Sequence, residues 1–169
     1  MRRVFFRQQA GFTLIELLVV MSVIAVISTI SIASFVSYSQ KATVNQAATD
    51  VAALLTDAKS RTQSQVKPSS CNGTLDGYRV DVCGFHQSSC SPNTANTYTL
   101  SVVCSGTKSL LVTRTLPANT SFVQSGTTAF SYQFQVLSNG VNNSGTIQVT
   151  GFSLTQNVQI GQSASITVH

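Results

Sequence analysis

Few residues in this 169-residue chain could do chemistry. It has two histidines, His86 and His169, five acids and four cysteines. No Ser-His-Asp pattern, phosphate-cradling glycine loop or pair of carboxylates for acid–base work occurs. Asp76 and Asp81 flank a short alternating stretch and read as solvated or turn residues. The expected protein is therefore not an enzyme and needs no cofactor. Cys71, Cys83, Cys90 and Cys104 fall within 34 positions and are disulfide candidates. Four cysteines allow three pairings, and spacing does not choose among them. A zinc site would have to combine Cys83, His86 and Cys90. That spacing matches no closed zinc motif and contains no Cys-x2-Cys, so no metal is expected. Another acid, Glu16, is the only charge between Phe12 and Gln40.

The run around Glu16 must be accounted for first. Leu17 to Val36 gives 20 consecutive uncharged residues, and a helix of about 20 apolar residues spans a bilayer core of roughly 30 Å. The serines and Thr29 within it can bond back to the helix's own carbonyls. Ahead of it lies MRRVFFRQQAG, with Arg2, Arg3, Arg7 and no acid. Basic flanks stay cytoplasmic, which places the N-terminus inside and everything after the span outside. A cleaved secretory signal, cut near Ser31-Ile32-Ala33, is the alternative. Its apolar core should be about 7–15 residues, and this run is longer. A carboxylate deep in lipid costs about 2.5–3.5 kcal/mol and needs a partner.

Gly11-Phe12-Thr13-Leu14-Ile15-Glu16-Leu17-Leu18 resembles the type III signal of type IV prepilins and type II secretion pseudopilins. The resemblance covers residues 7–36. It implies cleavage between Gly11 and Phe12 by a prepilin peptidase, N-methylation at Phe12, and an assembly role for Glu16. It also implies extraction from the cytoplasmic membrane, by an ATPase-driven inner-membrane assembly platform, into a helical filament with other pilins or pseudopilins. Cleavage would free the Phe12 amine, largely protonated at neutral pH, as the partner Glu16 lacks. Many such proteins have a Gly where this chain has Ala25 and a Pro where it has Ala33. Without that Pro the helix should run unbroken.

The remaining elements must carry a head outside the membrane. Val44, Ala48, Val51, Leu55 and Ala58 form one apolar stripe at helical spacing, widened by Ala47, Ala52 and Leu54. Asp57 and Arg61 stand at i,i+4 on the other side. Pro68 ends the helix near Gln65 to Lys67. Residues 68–97 read as a turn-rich, cysteine-bearing segment. It holds a short strand at Tyr78–Val82 after an Asp76-Gly77 turn, and an exposed loop from Gln87 to Asn96. From Tyr98 the period is two. Strands are expected at Tyr98–Cys104, Leu110–Leu116, Phe122–Val123, the Phe130, Tyr132, Phe134, Val136 face, Thr146–Val149, Phe152–Leu154, Val158–Ile160 and Ser165–Val168. Turns are expected at Ser105 to Lys108, Asn139-Gly140 and Asn142 to Gly145. The fold class is α+β, a long N-terminal helix packed on an antiparallel β-domain. The boundaries are a leader at 1–11, a membrane and assembly helix at 12–38, an amphipathic helix at 39–67 and a β-rich head at 68–169.

Charged residues are only 9% of the chain. From Tyr38 onward there are seven bases and four acids, net +3, with no run of bases. Cysteines outside the cytoplasm pair as disulfides. Asn72, Asn119 and Asn142 each open a three-residue glycosylation pattern. The element order is similar to H-type pseudopilins and FimT-type minor pilins, carried by the spacing of Phe134, Gly140, Gly145, Ile147 and Gly161. FimT-type proteins contact DNA through a C-terminal Gly-Arg-x-Arg stretch. Here it reads Gly161-Gln162-Ser163-Ala164-Ser165, with no base after Arg114. Phosphate binding grows with each neutralised charge. A DNA-binding reading would therefore have to use Lys59, Arg61, Lys67, Arg79, Lys108 or Arg114, brought together by the fold. The function implied is a structural filament subunit, a minor pilin or pseudopilin. A DNA-uptake pilin and a membrane-anchored binding module that never polymerises are the alternatives.

Overall fold

A computed structural model describes residues 11–84, 96–123, 131–138 and 140–169, apart from the side chains of 29–31 and 33. The expected loop at Gln87 to Asn96 (save Asn96 itself), Phe130, Asn139, His86, Cys90 and the basic leader lie outside the described residues. Two compact units divide at Ser39 and Gln40. One helix, α1 (Leu14–Gln63), contributes to both and is unbroken, as the missing Pro at Ala33 requires.

In the first unit Thr13 caps the helix. Its Oγ1 accepts from the Glu16 N–H at 3.3 Å, and its carbonyl accepts from the Leu17 N–H at 3.2 Å. Thr-x-x-Glu is the sequence form of a capping box. Ser22 and Ser28 turn their hydroxyls back to the Val19 and Ile24 carbonyls, both at 2.7 Å, which satisfies them without a solvent partner.

In the second unit the stripe on α1 is buried as its spacing required, with Val44, Ala47, Ala48, Val51, Leu55 and Ala58 fully enclosed. The regular helix stops at Gln63, slightly before the expected end. Gln65 adopts φ +50°, its N–H donates to the Thr62 carbonyl, and the Val66 N–H donates to the Arg61 carbonyl, each at 3.1 Å. This left-handed cap closes the helix before Pro68 can interfere.

Eight strands follow among the described residues: β1 (Leu75–Cys83), β2 (Thr97–Cys104), β3 (Thr107–Thr115), β4 (Thr120–Val123), β5 (Ser131–Gln135), β6 (Gly145–Gly151), β7 (Leu154–Ile160) and β8 (Ile166–Val168). They form two antiparallel four-stranded sheets, ordered β3-β2-β1-β5 and β4-β6-β7-β8. The stripe of α1 shares one core with Tyr78, Val80, Leu100, Val102 and Phe134 of the first sheet and Ile147, Val149, Val158 and Ile160 of the second. Tyr98 of β2 meets Phe122 of β4 edge to face at 6.1 Å, a favoured aromatic geometry that ties the sheets together.

Several sequence expectations are corrected. Asp76-Gly77 is not a turn before a short strand. Both lie inside the nine-residue β1, where the register shifts, and Gly77 is needed because a Cβ would sit 2.0 Å from the Phe134 carbonyl oxygen. β2 does not alternate between core and solvent. All eight residues are buried, because it is an interior strand covered on both faces. The Ser105-Gly106 turn needs only two residues, both at positive φ, so Thr107 and Lys108 already belong to β3. Val136 does not continue the face of Tyr132 and Phe134, since β5 ends at Gln135. Finally, Phe152–Leu154 is not a strand. β6 and β7 are seven residues each, and Phe152-Ser153 is the two-residue turn between them, at φ +52° and +62°. Neither residue type favours that conformation, so no turn signal was visible in the sequence.

Candidate functional site: the N-terminal signal and its helix

The peptide bond between Gly11 and Phe12 lies in non-helical backbone, ahead of the Thr13 cap. Phe12 is 81% exposed. A Cβ built on Gly11 would meet nothing within 4 Å, so the fold itself makes no demand for glycine there. Glu16 stands in the first turn of α1, where the free N–H groups favour a negative charge. Beyond it the large apolar side chains described from Leu17 to Val36 are all at least 47% exposed. An apolar surface of that extent on a soluble monomer marks an interaction site.

Residues 6–32 match the prokaryotic N-terminal methylation motif. This is the type IV pilin-like signal, which marks a substrate of prepilin peptidase that is anchored in a membrane and then assembled with other pilins. The match ends within α1 and covers none of the β-strands. No curated protein and no solved structure matches the chain. Among the described residues no helix is assigned as long and apolar enough to cross a membrane. The side chains of 29–31 and 33, in the middle of the uncharged run, are not among them.

The other residues singled out in the sequence lie in the head. Cys71 and Cys104 form a disulfide, which leaves one of the three possible pairings. Cys83 is also disulfide-bonded, so it has no free thiolate to offer a metal; its partner lies outside the described residues. No group of three or more metal-ligating side chains occurs among the described residues.

Of the six bases that a DNA site could draw on, Arg61 pairs with Asp57 at 2.9 Å, and Lys59 donates to the Ala164 carbonyl at 2.9 Å. Arg79 and Lys108 both bond to Asp81. Lys59 borders a cleft of about 230 Å³ with Thr62, Gln63, Gln65, Gln135 and Ser138. The cleft lies beside the C-terminal end of α1, whose Ser60, Arg61 and Thr62 carbonyls already accept from the Ser64, Val66 and Gln65 N–H groups.

Asp81 is thus not a solvated residue. Its side chain is 15% exposed and bridges Arg79 on its own strand and Lys108 on β3. The i,i+2 spacing of Arg79 and Asp81, which puts both on one face of a strand, was the available signal. Burial pushes the Asp81 carboxyl up, but hydrogen bonds from Lys108, Arg79 and Ser131 outweigh it and hold its pKa below the ordinary carboxylate value. A depressed folded-state pKa contributes stability that is complete above the unfolded value near 3.9 and is lost as pH falls through the folded one. Asp81→Asn should therefore flatten the acid limb of the stability–pH curve below about pH 4. It should also cost about 1 kcal/mol at neutral pH, a figure kept small because both cations are partly solvated. Chemical denaturation followed from pH 2 to 7 reads both effects.

Proposed function

We propose that this chain is a structural, non-enzymatic subunit, a minor pilin or pseudopilin, of a type IV pilus or type II secretion filament. Residues 12–38 hold it in the cytoplasmic membrane with the N-terminus inside and the head outside. Prepilin peptidase cuts between Gly11 and Phe12, and the new Phe12 amine is N-methylated. Extraction by the assembly platform then places the subunit in an extracellular or periplasmic filament. There Glu16 of one copy pairs with the Phe12 amine of the next, and this head-to-tail contact repeats into an open helix.

The observation that carries the reading is the methylation motif on a non-helical Gly11–Phe12 bond, followed at once by a capped helix whose apolar side chains are bare. A peptidase needs backbone that is free of helical hydrogen bonds. The open space at Gly11 leaves its glycine to be explained by the enzyme rather than by packing. The two sheets sharing a core with the second half of α1 support the likeness to H-type pseudopilins and FimT-type minor pilins. The base-free tail and the carboxylate-paired bases favour a structural role over DNA uptake.

Mass spectrometry of the exported product tests the reading. The expected N-terminus is methylated Phe12. An intact Met1 would favour a membrane-anchored module that is never processed, and a start near Ser34 a secreted protein that has lost its helix.

A further inference from the structure

Lys59 is a half-buried cation to which its own compact unit offers no carboxylate. That unit carries four acids, Asp50, Asp57, Asp76 and Asp81, all among the described residues. Asp57 pairs with Arg61, and Asp81 with Arg79 and Lys108. Asp76 accepts from the Gly106 N–H, and Asp50 from the Gln46 amide. Among the described residues no ion pair includes Lys59. Its ammonium has three N–H groups and gives one to the Ala164 carbonyl at 2.9 Å. A charge taken partly out of water costs free energy that a counter-charge would offset.

Lys59 and Ala164 both line the cleft of about 230 Å³. Sites for drug-sized ligands run to about 300–1,000 Å³, so this one has room for a single small molecule. Its walls are rich in donors. Gln135 Oε1 accepts from Ser138 Oγ at 3.2 Å, which leaves the Gln135 amino group for another acceptor. Gln63 and Gln65 add two more amides, and Val136 adds apolar ground. The Thr62 hydroxyl is already engaged by the Ala58 and Phe134 carbonyls, at 2.8 and 3.4 Å. The end of α1 does little to repel an anion, because its Ser60, Arg61 and Thr62 carbonyls are hydrogen-bonded.

Two of the lining residues hold backbone that their side chains disfavour. Gln65 at φ +50° and Ala164 at φ +56° are left-handed, and neither is Gly or Asn. Strain of this kind clusters at ligand clamps. The Ala164 turn supplies the carbonyl that positions Lys59.

We propose that the cleft binds a small hydroxylated monocarboxylate, of the size and kind of a uronic acid. Lys59 takes the carboxylate, the amides of Gln63, Gln65 and Gln135 take the hydroxyls, and Val136 meets the C–H face of the ring. Amides suit hydroxyls because each both donates and accepts. One cation suits a monoanion, whereas a phosphate dianion or a nucleic-acid backbone draws several.

Calorimetric titration of the full chain in detergent micelles with sodium galacturonate tests the proposal. Saturable binding is expected, about tenfold or more tighter than that of galactose, which lacks the charge, or of acetate, which lacks the hydroxyls. Lys59→Gln removes the charge yet keeps N–H donors for the Ala164 carbonyl. It should weaken galacturonate about tenfold and leave galactose unchanged. Lys59→Arg, which keeps the charge, should bind within about threefold of the wild-type chain. Amide NMR shifts in the wild-type chain should move at Gln63, Gln65, Ser138 and Ala164, a readout independent of how any variant folds. Trigalacturonate that binds as tightly as the monomer supports the end of an acidic glycan as the source. Weaker binding of the trimer supports the free sugar acid. The absence of saturable binding overturns the proposal, as does equal affinity for galactose or acetate. Undiminished binding by a folded Lys59→Gln chain, or shifts confined to residues outside the cleft, overturns it as well.

Discussion

Subunits carrying Glu16→Gln are expected to be cut and methylated normally yet to be lost from sheared filaments, as completely as those carrying Glu16→Ala. Two roles are open to Glu16 in the first turn of α1, capping and the proposed pairing, and this comparison separates them. The Thr13-x-x-Glu16 spacing is a capping box, whose backbone half is in place through Thr13 Oγ1. Glutamine serves a capping box as well as glutamate does. If capping were the purpose, Gln would be silent and Thr13→Ala would be the damaging change, at about 1 kcal/mol of helix stability. The proposed pairing with the Phe12 amine depends on charge. Removing one member of an ion pair enclosed by apolar side chains leaves the other uncompensated, at a cost of about 3–5 kcal/mol. That is about two to three and a half powers of ten in the equilibrium for adding a subunit. Immunoblots of sheared filaments against total membrane, read for the Gln, Ala and Thr13→Ala variants together, decide the matter. Wild-type incorporation of the Gln variant would remove the pairing from the account.

Loss of the Cys71–Cys104 bridge should produce the largest change in the stability of the head. The bond spans a sequence separation of 33 and joins the segment after α1 to the last residue of β2. Closing a loop of that length removes about 3–4 kcal/mol of entropy from the unfolded chain. For a head of this size that is roughly 15 °C in melting temperature. Little else holds the segment. The Cys71 N–H donates to the Pro68 carbonyl, and Thr74 exchanges backbone and hydroxyl hydrogen bonds with Ser105. Cys71→Ser with Cys104→Ser should therefore fray the Pro68–Thr74 stretch and loosen the Ser105-Gly106 turn, while the α1 core survives. Calorimetry of the outer domain measures the shift. Non-reducing peptide mapping should join the Cys71 peptide to that of Cys104 and the Cys83 peptide to that of Cys90. A shift of only a degree or two would mean that the unfolded chain is already held compact by other contacts.

Legibility in the sequence followed the range of the interaction. Glu16 alone among apolar residues, Gly11-Phe12 before Thr13, and the stripe from Val44 to Ala58 are local patterns, written within a few helical turns. The period-two faces of Tyr78 to Val82 and Tyr132 to Phe134 were legible for the same reason. What stayed hidden depended on which strand became whose neighbour. β2 is buried along both faces, which its alternating residues do not announce. Gly77 reads as a turn until the Phe134 carbonyl arrives against it from β5. Asp81 reads as solvated until Lys108 reaches it from β3, and three cysteine pairings stand equal until the end of β2 comes to rest beside Cys71. Residue types and short spacing alone determined the greasy N-terminal rod, the methylation motif at its start and the α+β class. Tertiary structure decided the register, the bridge and the strained Phe152 turn, because each is an energy of contact between residues that the chain order keeps far apart.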